Sequence, residues 1–422
     1  MDGRLKDFLE DRLPERQEAA AGPSRAGVRL PGSGVVNQLI FPAQRFIFAG
    51  TQSPSDEQLR SAEDFGTRHR ENRTMFLKNS WYVAAMDNEI GRKPLGRMLL
   101  GEPVVMYRKE DGTVVALEDR CMHRHLPLSM GKLVGDHLQC HYHGLQYNGE
   151  GKCVRIPGQD MIPPNARIRT YPTVERYHWV WIWMGDPALA DPDKIVDYHY
   201  FDDPNWGARQ SYLHVKSNWQ LIVDNLLDLT HLAFVHETTI GNSALVDNAS
   251  VKVTRGNDNV VVTRWIIDAP APPTFVKAGG FTDNVDRWQI IDWRPPAFLR
   301  LDVGATPTGT GAPEGQRVGG IEMRNLNAIT PETATTSHYF WGQAHSWEPS
   351  NGKLSDMLLE QIRTAFHEDV AVFEAQQVSL ERIPNPPQLD INADTGVIQA
   401  RRIIERMHAE EMAVQARQQA AE

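Results

Sequence analysis

The sequence predicts an α+β protein: a small N-terminal β domain, then a larger domain of antiparallel sheet with helices packed on it. Three observations carry that prediction. From Met75 to about Gly185 short apolar runs alternate with turn signals. Farther on, two stretches with helical period, Trp219 to Val235 and Ser355 to Gln377, bracket a series of strand-like runs. Between the regions a polar stretch from Asp186-Pro187 to Asp191-Pro192-Asp193 reads as a linker. The expected divisions are a poorly ordered leader over 1–74, a first domain over 75–190 and a second over 191–422.

The leader has Arg-rich and Ala/Gly/Pro-rich stretches, such as Ala19 to Gly34, and lacks the apolar core of a secretory signal; an appendage used in assembly or targeting is the alternative. Met75 opens Met-Phe-Leu-Lys-Asn-Ser-Trp-Tyr-Val-Ala, which reads as the start of a folded domain. Val104 to Arg108 and Val114 to Glu118 flank Lys-Glu-Asp-Gly, a hairpin signal built on Asp-Gly. Trp179-Val-Trp-Ile-Trp-Met closes the first domain as an apolar strand. The strand-like runs of the second are Asn259 to Ile267, Asp286 to Trp293, Leu299 to Val303, Ile321 to Ala328 and Thr335 to Ala344. Ala269 to Gly280 reads as a long loop suited to a pocket lid, and Gly304 to Gly320 as a mobile loop. From Ala400 the chain reads as a charged amphipathic helix, expected to be a solvated terminal element.

A formal net charge of −10 over 422 residues argues against nucleic acid as a partner. No apolar run approaches the length of a membrane span. There are 3 cysteines, a usage that suits the reducing cytoplasm and not a disulfide framework.

Two of those cysteines carry the strongest motif: Cys121-x-His123 and, after sixteen intervening residues, Cys140-x-x-His143. Each short segment supplies one thiolate and one imidazole. Structural zinc sites usually group ligands as Cys-x-x-Cys and His-x-His pairs, so the alternation favours two loops clasping a two-iron cluster. A Rieske centre takes two cysteines on one iron and two histidines on the other, and its neutral imidazoles raise the potential above that of an all-Cys cluster. Gly131, Gly135, Gly144 and Gly149, with Pro127 and Pro157, supply the tight turns that bring backbone N–H groups toward cluster sulfurs. A zinc knuckle is the other reading. Cys153 is left as a free thiol.

The second motif is Asn225-Leu-Leu-Asp228-Leu-Thr-His231-Leu-Ala-Phe-Val-His236. Non-haem Fe(II) oxygenases hold the metal by two histidines and one carboxylate on one face, leaving the other open. Five residues along a regular helix separate side chains by roughly 140°. His231 and His236 therefore share a metal only if the helix bends, ends or bulges between them. Leu358, Ile362, Ala365, Phe366 and Phe373 form an apolar helical stripe; Asp369 lies on it and Glu368 off it. A carboxylate on a buried face is costly unless paired or metal-bound, which makes Asp369 the third ligand candidate. Two core histidines and a buried salt bridge are the alternatives.

Together these residues resemble the Rieske non-haem iron oxygenases, from Met75 to about Met407. Asn-Ser-Trp-Tyr-Val-Ala at 79–84, Lys-Pro-Leu-Gly at 93–96, Asp-Asn-Leu-Leu-Asp-Leu-Thr-His at 224–231, Asp-Arg-Trp-Gln at 286–289, Ile-Thr-Pro-Glu-Thr at 329–333 and Tyr-Phe-Trp-Gly at 339–342 are similar to the vanillate and dicamba demethylase branch. The resemblance implies that Cys121, His123, Cys140 and His143 hold a Rieske [2Fe-2S] cluster, and that His231, His236 and Asp369 hold a mononuclear Fe(II) that uses O2 as co-substrate. It also implies that Asp228 links His231 to His143 of the partner subunit within a head-to-tail ring, a homotrimer, and that Asn225 stands near the iron. Cys-Met-His-Arg-His departs from the family's usual Cys-Pro-His-Arg-Gly, and the added His125 is read as a loop cap.

The chain has no nucleotide-binding GxGxxG, so NAD(P)H must be oxidised by a separate reductase of the flavin and [2Fe-2S] type. The expected reaction is hydroxylation of a methoxy group on a small methoxybenzoate-like (vanillate-like) aromatic substrate, with collapse of the hemiacetal to a phenol and formaldehyde. Hydroxylation of an aromatic ring or of a C-, N- or S-linked methyl is the alternative within the class, and a non-catalytic electron carrier the alternative outside it. Arg264 and Arg287 are candidates to meet a substrate carboxylate, and Trp288 and Trp341 to wall the ring, against the default readings of ion pairing and core packing.

Overall fold

A computed structural model describes residues 75–420 other than 238, 242–248 and 384–386. The expected leader over 1–74 lies outside the described residues.

The first part contains three small antiparallel sheets. β1 (Trp81–Met86) pairs with the strand Trp179–Trp183, β11, which also pairs with Thr173–Arg176, β10. A second sheet joins β2 (Leu95–Leu99), β3 (Glu102–Arg108), β4 (Val114–Glu118) and β9 (Thr170–Tyr171) in that order. The expected Asp-Gly hairpin links β3 to β4, with Gly112 at φ +88°. The third sheet joins β5 (Lys132–Val134), β6 (His137–Gln139), β7 (Gln146–Tyr147) and β8 (Cys153–Arg155).

The second part is a seven-stranded antiparallel sheet. Its order is β12 (Gly207–Val215), β18 (Ser337–His345), β17 (Ile321–Pro331), β16 (Phe298–Pro307), β15 (Val285–Arg294), β14 (Val260–Ala269) and β13 (Ala249–Arg255). Strand side chains alternate between faces, and here each face has its own core. Leu299, Tyr339 and Trp341 join the cluster on the helix side. Phe298, Leu326, Ala328 and Phe340 pack against Trp179, Trp181 and Trp183 of the first part. Each such fully buried large side chain contributes about 1.5–3 kcal/mol of apolar burial, so the tryptophan strand joins the two parts through a continuous core. Hydrogen bonds reinforce the junction: Thr330 Oγ1 donates to the Val83 carbonyl at 2.7 Å.

Among the described residues five α-helices occur, in chain order: α1 (Trp219–Leu227), α2 (Leu232–Val235), α3 (Pro273–Gly279), α4 (Gly352–Arg382) and α5 (Thr395–Gln419). α1 packs near β17, α4 near β12 and β18, and α5 near β14. Asn218 caps α1 by accepting from Gln220 N, and Asn351 caps α4 by accepting from Leu354 N.

Three expectations change. The loop over 269–280 contains α3, because Pro273 occupies the first helical turn, where a missing N–H costs nothing, and Gly280 closes it at φ +68°. β16 extends through Gly304 to Pro307, so only the remainder of the expected 304–320 loop is a loop; a Cβ at Gly304 would lie 2.1 Å from the Trp288 ring. α5 is not merely solvated: Ile403 and Ile404 are in the core, and Glu411 accepts from the backbone N–H groups of Lys78 and Asn79 at 3.1 and 2.9 Å.

Candidate active site

Two loops bring the first motif together, one following β4 of the second sheet and the other between β6 and β7 of the third. Cys121 and Cys140 are buried, whereas His123 and His143 are exposed. Like pairs with like: the imidazole rings lie 4.5 Å apart between centroids, and the two thiols are near enough to shift each other's protonation. Contact with Cys140 draws the Cys121 thiol down to about 5, while the same contact pushes Cys140 up. Backbone N–H groups of His123 and Arg124 aim at the Cys121 sulfur, and those of Tyr142 and His143 at the Cys140 sulfur. The turns allow this. Gly144 has φ +75°, and a Cβ on Gly131 would fall 2.2 Å from the Gln139 carbonyl. Tyr147, which the sequence did not single out, places its hydroxyl 3.4 Å from Cys121 Sγ and accepts from Met122 N at 3.2 Å. A thiol pair, an imidazole pair and N–H donors on the sulfurs fit a Rieske cluster. His125 points away from this set: it has φ +60° and lies 3.0 Å from Arg120 Nη1.

The second motif is built on a broken helix. α1 ends at Leu227, Asp228 is extended, Leu229–His231 forms a 3-10 turn, and α2 gives one more turn before His236 leaves helical geometry. The irregularity expected between the histidines is the passage from 3-10 to α geometry after His231 and the helix end at Val235; the break at Asp228 lies upstream of both. His231, His236 and Asp369 each offer a ligand atom, and these lie within 4.8 Å of one another. Asp369 Oδ1 is 3.0 Å from His236 Nε2 and 3.6 Å from His231 Nε2. The Nδ1 atoms are engaged elsewhere: His231 Nδ1 lies 2.6 Å from the Asp228 carbonyl oxygen, and His236 Nδ1 lies 2.7 Å from Glu368 Oε2. Each Nδ1–H thus has an acceptor, which turns both Nε2 atoms toward the carboxylate. Burial holds the His231 pKa down. Burial also acts on His236, but its hydrogen bonds to the carboxylates of Asp369 and Glu368 outweigh it and raise that pKa. Asn225 donates to Asp369 Oδ1 at 3.2 Å, and its own Oδ1 is buried without a partner. This donor set, with an orphaned oxygen beside it, fits one divalent iron on two imidazoles and a carboxylate.

Two expectations are refined here. Asp228 meets His231 through its main-chain carbonyl, while its carboxylate accepts from Thr230 N at 2.9 Å. Glu368, off the apolar stripe, still reaches His236 and also accepts from Thr239 Oγ1 at 3.0 Å. Only its adjacency to Asp369 marked it in the sequence.

Two cavities meet at this site. One, narrow at about 70 Å³, is lined by His231, His236, Asp369, Phe275, Arg287, Gln289, Val303, Asn325 and Phe366 among others. The other, about 510 Å³, is a groove along α1 and α4 that opens on Asp228 and His231. Neither candidate ring wall lines the narrow cavity: Trp288 is buried against Asp302 and Arg317, and Trp341 packs on Phe366 at 4.7 Å. Arg264 donates to the Leu229 carbonyl at 2.7 Å and so holds the turn that carries His231. No helix among the described residues is long and apolar enough to cross a membrane.

Comparison with known proteins gives the family. Residues 80–172 match the Rieske [2Fe-2S] domain and residues 215–410 the vanillate O-demethylase oxygenase C-terminal domain. The toluene-4-sulfonate monooxygenase system iron-sulfur subunit of Comamonas testosteroni is 46% identical over 79% of this chain and 97% of its own length. A vanillate O-demethylase oxygenase subunit of Pseudomonas sp. (strain HR199 / DSM 7063) is 38% identical over 80% of this chain and 96% of its own. The crystal structure of dicamba monooxygenase with non-heme iron and dicamba superposes with a TM-score of 0.69 at 33% identity, covering 80% of this chain and 99% of that one. With cluster loops, iron triad and relatives all in agreement, the chain belongs to the Rieske non-haem iron oxygenases of the vanillate O-demethylase type, as an oxygenase component that carries a [2Fe-2S] cluster and a mononuclear iron and draws electrons from NAD(P)H through a separate reductase.

Proposed function

We propose that this oxygenase demethylates a small methoxylated aromatic acid. The observation that carries the reading is the narrow cavity, with His231, His236 and Asp369 at one part of its wall and apolar side chains with a few polar groups over the rest. Vanillate and toluene-4-sulfonate, which name two of the relatives, are both small aromatic anions. In this reading residues 75–190 carry the cluster on Cys121, His123, Cys140 and His143, and residues 191–422 carry the iron on His231, His236 and Asp369. The iron, when bound, supplies O2 activation. The chain orients the imidazoles through Asp228 and Glu368, positions Asn225 beside Asp369, and excludes water with Phe275, Val303 and Phe366. The balanced reaction takes an aryl methyl ether, O2, NAD(P)H and a proton to a phenol, formaldehyde, water and NAD(P)+.

The exposed imidazoles of His123 and His143, beside exposed Met122 and Tyr142, suit electron transfer out of the chain. The groove at Asp228 suits receipt from the partner subunit of a head-to-tail homotrimer working in the cytoplasm. A second reading rests on the 46% identity to a toluene-4-sulfonate monooxygenase subunit: hydroxylation of a methyl group on carbon.

The test is formaldehyde release. The purified protein, a Rieske-oxygenase reductase and NADH are incubated with methoxybenzoates, vanillate among them, and with toluene-4-sulfonate. Formaldehyde equal to the O2 consumed establishes O-demethylation. O2 uptake with a benzylic alcohol and no formaldehyde moves the activity to the second reading. About three irons per chain are expected, and two would indicate an electron carrier without the mononuclear centre.

A further inference from the structure

A buried guanidinium without an anion stands in the cavity. Arg287 lies on β15, is 5% exposed, and lines the same cavity as the iron triad. Its Nη2 donates to the Ile240 carbonyl at 3.3 Å, and its Cζ stands 5.1 Å from the Phe275 ring centroid. Its Nε and Nη1 have no hydrogen-bond partner, and it forms no ion pair among the described residues. The charge that acts on it is a like one, Arg264, on which Asp228 acts in turn. Burial, then Arg264, bring the Arg287 pKa down to about 10, so the group is cationic at neutral pH. An unpaired buried charge is among the costliest features a fold can hold.

Two further orphaned amide atoms line the same cavity. Gln289, two residues along on the same face of β15, leaves Oε1 unpaired, and Asn325 on β17 leaves Nδ2 unpaired. Strand register explains the grouping: Gln289 pairs with Val303, which pairs with Met323, and Asn325 follows two residues later. One face of the sheet thus presents a cation and two amides around apolar Leu301, Val303 and Met323. The amides can rotate to offer either an acceptor or a donor. Apolar walls receive a ring, and the charge receives an anion attached to it.

We propose that Arg287 is the anion anchor of the substrate site: it binds the carboxylate or sulfonate of an aromatic substrate, with Gln289 and Asn325 hydrogen-bonding beside it, and thereby fixes which ring substituent faces the iron triad. The role belongs to Arg287 and not to Arg264, whose guanidinium serves the His231 turn. The inference rests on the aromatic-substrate reading above but is separable from it by binding.

The experiment measures equilibrium binding to the iron-loaded enzyme of 4-methoxybenzoate, 4-methoxybenzenesulfonate and neutral 4-methylanisole. Wild type is expected to prefer one of the anions over the neutral ether. Arg287→Met is expected to weaken that anion about 10- to 100-fold, the range for a hydrogen bond to a charged group, while leaving 4-methylanisole unchanged. Arg287→Lys is expected to recover part of the loss. Stability gives an independent readout. A structural arginine destabilises when removed, whereas an unpaired buried charge replaced by Met leaves the Tm equal or higher. In turnover the effect falls on KM more than on kcat. The two anions distinguish carboxylate from sulfonate. Equal binding of anion and neutral ether by wild type, or undiminished anion binding by Arg287→Met, overturns the proposal. Anion binding that depends on Arg287 in an enzyme that releases no formaldehyde overturns demethylation and leaves the anchor standing.

Discussion

Glu368 and Asp369 are neighbours with different tasks: Asp369 reaches both Nε2 atoms, and Glu368 holds His236 by Nδ1. Their removal should differ accordingly. Asp369→Ala is expected to lose the mononuclear iron and all turnover while the cluster's visible spectrum survives. Glu368→Ala should keep the triad but weaken iron binding about 10- to 100-fold, as loss of an outer partner of a ligating histidine does. Iron per chain and the visible spectrum, measured after dialysis against a weak chelator, check both. If the Asp369 variant still turns over, the third ligand is another group. Asp369 was legible in the sequence because a carboxylate on an apolar stripe needs a reason. Glu368 was not, because a flexible side chain reaches the site from outside the stripe. Period identifies faces, and reach is invisible to it. The same limit applies to Arg264 and Arg287. As residue types they are equal candidates, and only their partners, a carbonyl on a turn for one and unpaired atoms in a cavity for the other, tell them apart.

The break between α1 and α2 is where an element becomes a site. A regular helix through both would carry His231 and His236 on different faces; the change from 3-10 to α geometry after His231 and the end of α2 at Val235 accompany the convergence of both on Asp369. Asp228 has two separable parts, a capping oxygen and a charge. Asp228→Asn retains a capping side chain and should keep the melting temperature, with turnover down at least about tenfold if the negative charge takes part in electron delivery. Asp228→Ala should also lose about 1 kcal/mol of stability through the cap. Thermal denaturation beside steady-state turnover separates the parts, and unchanged turnover in the Asn variant would limit Asp228 to capping. The departure from regular helix between His231 and His236 was readable from their spacing; the break at Asp228, upstream of both, was not. Strand prediction followed burial. The five expected runs all fall on strands of the sheet, but β12 and β13 were missed. They are the two outer strands of the sheet, and their sequences, Gly-Ala-Arg-Gln-Ser-Tyr-Leu-His-Val and Ala-Ser-Val-Lys-Val-Thr-Arg, are too polar to stand out. α3 was hidden by its own prolines, which mark loops as often as first turns.

The whole molecule joins two redox groups in one chain, and its assembly decides whether they serve each other. If electrons cross between subunits, a cluster-free Cys140→Ser chain and an iron-free Asp369→Ala chain, each inactive alone, should regain a measurable share of turnover when co-assembled. Activity in mixed oligomers purified through two different tags checks this. Continued inactivity would mean that each chain passes electrons to its own iron. The groove and the narrow cavity share only Asn225 and His231 in their linings. If electrons enter at the groove and substrate at the narrow cavity, fuel and cargo arrive by separate doors: a molecule plugging the cavity stops chemistry without barring the electron donor, and a crowded donor face leaves the cavity free to exchange its contents.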